Sequence, residues 1–201
     1  MKTLELFSGT KSFSKEVVGE TVTVDILSKF GPTHVADILT WDYQQYPPGY
    51  FDVIWCSPPC TEYSKAKTHG VRNLQLADQC VLRCFTIIDY FNPTVWILEN
   101  PATGLLPRRM SLMRPDIHYY VADYCAYGKP YRKRTAFWCN VPLTLRTCGG
   151  PGECPGMEGK KHKGSCGNGT AQYNAAGIHS VWDKDSIPPP LIQAILGQLG
   201  V

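Results

Sequence analysis

Asp52-Val53-Ile54-Trp55-Cys56-Ser57-Pro58-Pro59-Cys60 is the stretch on which the reading of this chain turns. Its first five residues form a short apolar run of strand character, entered through the turn-rich Tyr46-Pro47-Pro48-Gly49. Pro58 and Pro59 then end sheet pairing and stiffen the backbone, which fixes Cys60 just past a strand end. In open α/β sheets that edge is where ligands bind. A thiol held there is either a nucleophile or inert filler, and the neighbouring strand ends decide between the two. Cys56, still inside the strand, reads as core.

Working outward toward the N-terminus, Leu4-Glu5-Leu6-Phe7 reads as a first strand, broken by Ser8-Gly9-Thr10-Lys11. A helix over residues 12–18 is expected next, capped by Ser12. Strand, glycine turn and helix open a nucleotide-type α/β fold, although only one glycine of a three-glycine dinucleotide fingerprint is present. Thr21-Val22-Thr23-Val24-Asp25 is a second strand ending in an acid, at about the separation where such folds set a carboxylate on a ribose. Val35-Ala36-Asp37 repeats the pattern, followed by a turn or helix over residues 39–44.

Toward the C-terminus, a polar, Lys-rich stretch at 61–72 leads into the clearest helix, residues 74–91. Ala77, Cys80, Val81, Cys84, Ile88 and Phe91 share one of its faces, which makes Cys80 and Cys84 core residues. Thr94-Val95-Trp96-Ile97-Leu98 is a buried strand ending at Glu99-Asn100-Pro101. A carboxylate after four apolar residues is costly unless its charge is used. Residues 119–124 read as a further strand, and residues 134–138, after a basic turn, as a strand at the sheet edge.

The whole chain has 201 residues, a formal charge of +3, 43% hydrophobic and 18% charged residues, which suits one soluble globular domain. No apolar run approaches the roughly 18 residues of a membrane helix, and no signal peptide is legible. A cytoplasmic protein, or a nuclear one if the host has a nucleus, is expected. Nine cysteines in such a chain read as free thiols and metal ligands rather than disulfides. Residues 147–169 are rich in Gly, Lys and Cys, with Cys148, Cys154, His162 and Cys166 spaced C-x5-C-x7-H-x3-C. Three thiolates and an imidazole make a closed zinc set for a segment with no core of its own; reduced loop thiols are the alternative. Basic residues gather at Arg108, Arg109, Arg114, Lys129, Arg132, Lys133 and Arg134, a patch able to neutralise phosphates.

Taken in order, these stations resemble the DNA (cytosine-5-)methyltransferases, especially their compact phage forms. Leu6-Phe7-Ser8-Gly9 is similar to the first cofactor motif, Ser57-Pro58-Pro59-Cys60 to the Pro-Cys nucleophile loop, and Glu99-Asn100-Pro101 to the Glu-Asn motif. Tyr127-Gly128-Lys129-Pro130-Tyr131-Arg132-Lys133-Arg134-Thr135 is similar to the Arg-bearing motif, and Ile187-Pro188 with its helix to the last motif. The resemblance implies a Rossmann-like, mostly parallel seven-stranded sheet that binds S-adenosyl-L-methionine, with a small Cys/His-rich insertion. The parts implied are a catalytic core at 1–142, a recognition segment at 143–178 and a closing helix at 179–201. Phe7, Ser8, Gly9, Thr10, Asp25, Ile26, Asp37, Ile38, Ser57 and Pro58 would hold the cofactor. Cys60 would attack carbon 6 of a cytosine flipped out of double-stranded DNA, with Glu99 on the ring. Arg134, or in a second register Arg132, would support the thiolate. Three residues depart from the family: Lys11 replaces a glycine, Thr61 a glutamine and Tyr131 a glutamine. The target-recognition region is cut to about forty to fifty residues, which raises the prospect of a specificity partner. Three rivals remain: an amino-group methyltransferase, an enzyme acting on RNA or nucleotides, and an inactive, zinc-stapled nucleic-acid-binding protein.

Overall fold

A computed structural model describes residues 1–165 and 186–200. Seven strands form one sheet: β1 (Lys2–Leu6), β2 (Glu20–Asp25), β3 (His34–Val35), β4 (Val53–Cys56), β5 (Val95–Pro101), β6 (Tyr119–Asp123) and β7 (Arg134–Cys139). They lie in the order β3-β2-β1-β4-β5-β7-β6. β7 alone runs against its neighbours, antiparallel to both β5 and β6. It is therefore interior, and β6 takes the edge expected of it. The cause is visible in the sequence: five of its six residues are buried, which an edge strand facing solvent would not sustain.

Alternation along the strands sorts the core into two layers, because successive side chains leave opposite faces. Ile54, Cys56, Trp96, Leu98, Ala136 and Trp138 meet the helix α1 (Leu74–Phe91) through Val81, Cys84, Ile88 and Phe91. Val53, Trp55, Val95, Ile97 and Phe137 meet the closing helix α3 (Pro189–Leu199) through Leu191, Ile192 and Ile195. A short α2 (Leu106–Met113), which carries no strong pattern in the sequence, buries Leu106 and Met110 in the first layer. Asn73 caps α1 by accepting the Leu76 amide, and Asn92 ends it in a left-handed conformation. Cys56 and Cys84 are core residues as expected, whereas Cys80 is half-buried and lines a cavity.

Residues 12–18 do not form the expected helix; turns replace it. Seven residues are too few to repay helix nucleation unaided, and a competing acceptor is at hand. The buried Glu5 carboxylate takes the Phe13 and Ser14 amides at 3.2 and 3.0 Å. Phe13 then stacks on Trp55 with ring centroids 4.7 Å apart. Burial raises the Glu5 pKa to about 7, more than these amides and Lys11 lower it. The folded state therefore holds a proton that the unfolded chain gives up near pH 4.5, and stability falls as the pH rises from there through about 7. Urea unfolding between pH 4.5 and 8 should show this loss, and Glu5→Gln should flatten the slope while lowering stability throughout, since one amide loses its acceptor.

Candidate active site

Parallel pairing sets one row across four strands: Leu6 lies opposite Val24 and Cys56, and Cys56 opposite Leu98. One residue further on come Phe7, Asp25, Ser57 and Glu99, and all four line a single cavity of about 570 Å³. All ten residues expected to hold a cofactor are in its wall, together with Cys60 and Glu99. This volume and this position, outside the carboxyl ends of a parallel sheet, are those of a small-molecule site.

The loop after β1 is tightly shaped. Phe7, Gly9 and Lys11 have φ of 58°, 44° and 59°. Gly9 adopts this freely, but Phe7 and Lys11 each bear a strain of order 1 kcal/mol. Lys11 thus occupies, in a glycine-like conformation, the place where the sequence departs from a glycine. Asp25 pins the loop: one carboxylate oxygen accepts the Gly9 amide and the other the Leu27 amide, each at 2.8 Å. Each oxygen retains a lone pair for a ligand. Asp37 is exposed, accepts the Leu39 amide at 3.0 Å and also lines the cavity.

The Pro-Pro-Cys loop is held from two sides. The Ser57 amide extends the sheet ladder to the Leu6 carbonyl at 3.1 Å, and Asn100 Nδ2 donates to the Pro58 carbonyl at 2.8 Å. Asn100 is 1% exposed, so this bond fastens the loop through the interior. Alternation puts Asn100 on the Trp96 and Leu98 face of β5, and Glu99 on the other. There the buried Tyr124 hydroxyl donates to Glu99 Oε1 at 3.3 Å. Burial, followed by the Glu99 charge, holds the Tyr124 phenol well above its usual pKa, so it remains a donor. Cys60 is half-buried and forms no disulfide.

The basic residues divide. Arg132 forms an ion pair with fully buried Asp123 at 3.0 Å, and Arg114 forms one with Asp116 at 3.0 Å. Arg109 pairs with Asp78. Neither Arg132 nor Arg134 lines the cavity; the residue between them, Lys133, does, with its ammonium 5.1 Å from the Tyr124 ring centre. Arg134 is exposed at the start of β7, its carbonyl accepting the Ala102 amide at 2.9 Å beside the Glu-Asn-Pro turn. Sequence reasoning missed Tyr124 and the wall position of Lys133; hydrophobic periodicity carries no signal for either.

No family model matches the chain. A protein of Frog virus 3 (isolate Goorha), named "Probable DNA (cytosine-5)-methyltransferase", is 36% identical over 177 residues, 79% of this chain and 79% of that protein. The chain belongs to the DNA (cytosine-5)-methyltransferase family. Two solved structures share the methyltransferase fold: Entamoeba histolytica EhMeth (TM-score 0.52, 16% identity, 73% of this chain) and an E. coli protein described as "putative DNA modification methyltransferase encoded within prophage" (TM-score 0.51, 14% identity, 69% of this chain). The chain spans only about half of each, 56% and 46%. No helix among the described residues is long and apolar enough to cross a membrane.

Within this family member, the Asn100 bond is the testable strut of the Pro-Pro-Cys loop. Asn100→Ala should lower stability in urea by about 1–3 kcal/mol, because the Pro58 carbonyl loses a buried donor. It should also speed alkylation of Cys60 by iodoacetamide, read by peptide mass spectrometry. Unchanged stability and labelling would mean that the loop is held elsewhere.

Proposed function

We propose that this protein methylates carbon 5 of cytosine in double-stranded DNA through a covalent bond to Cys60. The observation that carries the reading is the shared cavity: Cys60 and the three acids Asp25, Asp37 and Glu99 open onto one space.

The cavity wall suits S-adenosyl-L-methionine. Among the described residues its charged side chains are the acids Glu5, Asp25, Asp37 and Glu99 and the base Lys133, a balance that favours a cationic ligand. Ser8 Oγ and Asn100 Oδ1 are buried in that wall without a hydrogen-bond partner, which marks them for a polar ligand. Asp25 would take the ribose hydroxyls, Asp37 the adenine amine, and Ile26, 64% exposed at the rim, an aromatic face. When bound, the cofactor supplies an electrophilic methyl group on a sulfonium.

Carbon 5 of cytosine is a poor nucleophile, and a thiolate at carbon 6 changes that by converting the ring to an enamine. Cys60 forms the carbon–sulfur bond and the electron pair moves to carbon 5. Glu99 holds ring nitrogen 3 and the exocyclic amine, so the charge developing in the ring is matched by a proton. The Tyr124 hydroxyl orients that carboxyl. Once carbon 5 carries the methyl, loss of its proton returns the pair to the ring and expels the Cys60 thiolate. The target base must leave the duplex, at a cost on the order of a few kcal/mol. Arg134 and Arg108, both exposed, are among the cations that would meet the opened backbone, whereas Arg109, Arg114 and Arg132 form ion pairs within the fold.

DNA carrying 5-fluorocytosine has no carbon-5 proton to lose. Incubated with S-adenosyl-L-methionine, it should give a denaturant-resistant adduct that is absent from Cys60→Ala. An adduct of equal yield in that variant would remove Cys60 from the mechanism. Separately, Glu99→Gln should slow turnover by about 10²–10⁴-fold while cofactor affinity stays near native. Equal losses of both would make Glu99 a structural residue.

A further inference from the structure

Residues 147–165 follow the last sheet strand, and among them only Cys154 and Gly156 are buried. Their regular structure is a ribbon of two residues per strand, β8 (Met157–Glu158) against β9 (Lys161–His162). Apolar burial cannot hold such a piece in one conformation, and segments of this kind are fixed by disulfides or metal. Cys125, Cys148 and Cys154 are free thiols, so no disulfide among them does so.

The donor atoms of Cys125, Cys148, Cys154 and His162 all lie within 4.8 Å of one another. Cys148 Sγ and Cys154 Sγ stand 3.6 and 3.7 Å from His162 Nε2. A tetrahedron with metal–sulfur bonds of about 2.3 Å and metal–nitrogen bonds of about 2.0 Å has sulfur–nitrogen edges of about 3.5 Å. Cys166, the fourth ligand expected from spacing, lies outside the described residues. Cys125 comes instead from the short 3-10 helix Tyr124–Tyr127, which directly follows β6.

We propose that Cys125, Cys148, Cys154 and His162 bind one structural zinc ion, which fastens the 147–165 segment to the β6–β7 corner. Three thiolates and one imidazole close the coordination sphere, so the ion has no open position for catalysis. The surroundings are built for close approach. A Cβ on Gly156 would stand 2.5 Å from the Lys129 carbonyl and 2.9 Å from Cys125 Cβ. Gly164 donates its amide to the Pro130 carbonyl at 2.7 Å. Asp123 joins the two sides: one carboxylate oxygen accepts the Cys148 amide at 2.9 Å, and the other pairs with Arg132 at 3.0 Å. The metal thereby steadies residues 129–134, whose last member opens β7 beside the Glu-Asn-Pro turn. This assignment stands whether or not the catalytic proposal holds.

Plasma mass spectrometry of the protein, expressed with zinc in the medium, should find about one zinc per chain. Half-buried Cys148→Ser should lose the metal and Cys166→Ser should keep it. Zinc-free native protein, or loss in Cys166→Ser with retention in Cys148→Ser, would overturn the site. Chelation followed by hydrogen exchange should strip protection from amides at 148–164 and 123–134 while amides of β1, β4 and β5 stay protected. Unchanged exchange at 123–134 would overturn the fastening role.

Discussion

Parallel registration of β1, β2, β4 and β5 is the constraint on which everything else depends. It aligns Leu6, Val24, Cys56 and Leu98 in one row, so that the next residue of each, Phe7, Asp25, Ser57 or Glu99, lines the same cavity. Sheet pairing cannot continue through two prolines, so the chain after β4 turns over that row and carries Cys60 with it. The same period-2 alternation gives neighbouring residues different tasks. Glu99 leaves one face of β5 toward Tyr124, and Asn100 leaves the other toward Pro58. A slip of one residue in β5 would exchange the anchor and the acid. That constraint explains why the Glu-Asn dipeptide belongs together: one residue meets Tyr124 in the cavity wall and the other holds the Pro-Pro-Cys loop beside it.

Much of this was legible before any coordinates, because it rests on local chemistry. Strands show as apolar runs, strand ends as the acids Asp25, Asp37 and Glu99, and the stiff loop as paired prolines. α1 showed by its periodicity. What was not legible depends on long-range partners. The turn at residues 12–18 has a capped, helix-like sequence, but its amides are claimed by Glu5 from the neighbouring strand. β7 reads as an edge strand because its N-terminal flank is basic, whereas its place between β5 and β6 follows from topology. Arg132 and Arg134 are two residues apart and equivalent in sequence, yet buried Asp123 claims only one of them. Cys125 sits in an aromatic run, and nothing within that run points to a partner more than twenty residues away.

The small size of the segment after β7 acquires a physical meaning in this light. A longer recognition region would carry its own apolar core; here the 19 residues 147–165 bury almost nothing. Their order is borrowed from the corner of the sheet through Asp123, Pro130 and the Cys/His cluster. The basic patch is likewise thinner than its residue count, because three of its arginines form ion pairs within the fold.

The central claim is that the strand-end row assembles carbon-5 chemistry. It is met most directly by identifying the methylated base. After incubation with labelled S-adenosyl-L-methionine and DNA of varied sequence, the DNA should be digested to nucleosides and the label located. The account predicts that it resides in 5-methylcytosine. Label in N4-methylcytosine or N6-methyladenine, or none in any DNA, would contradict it.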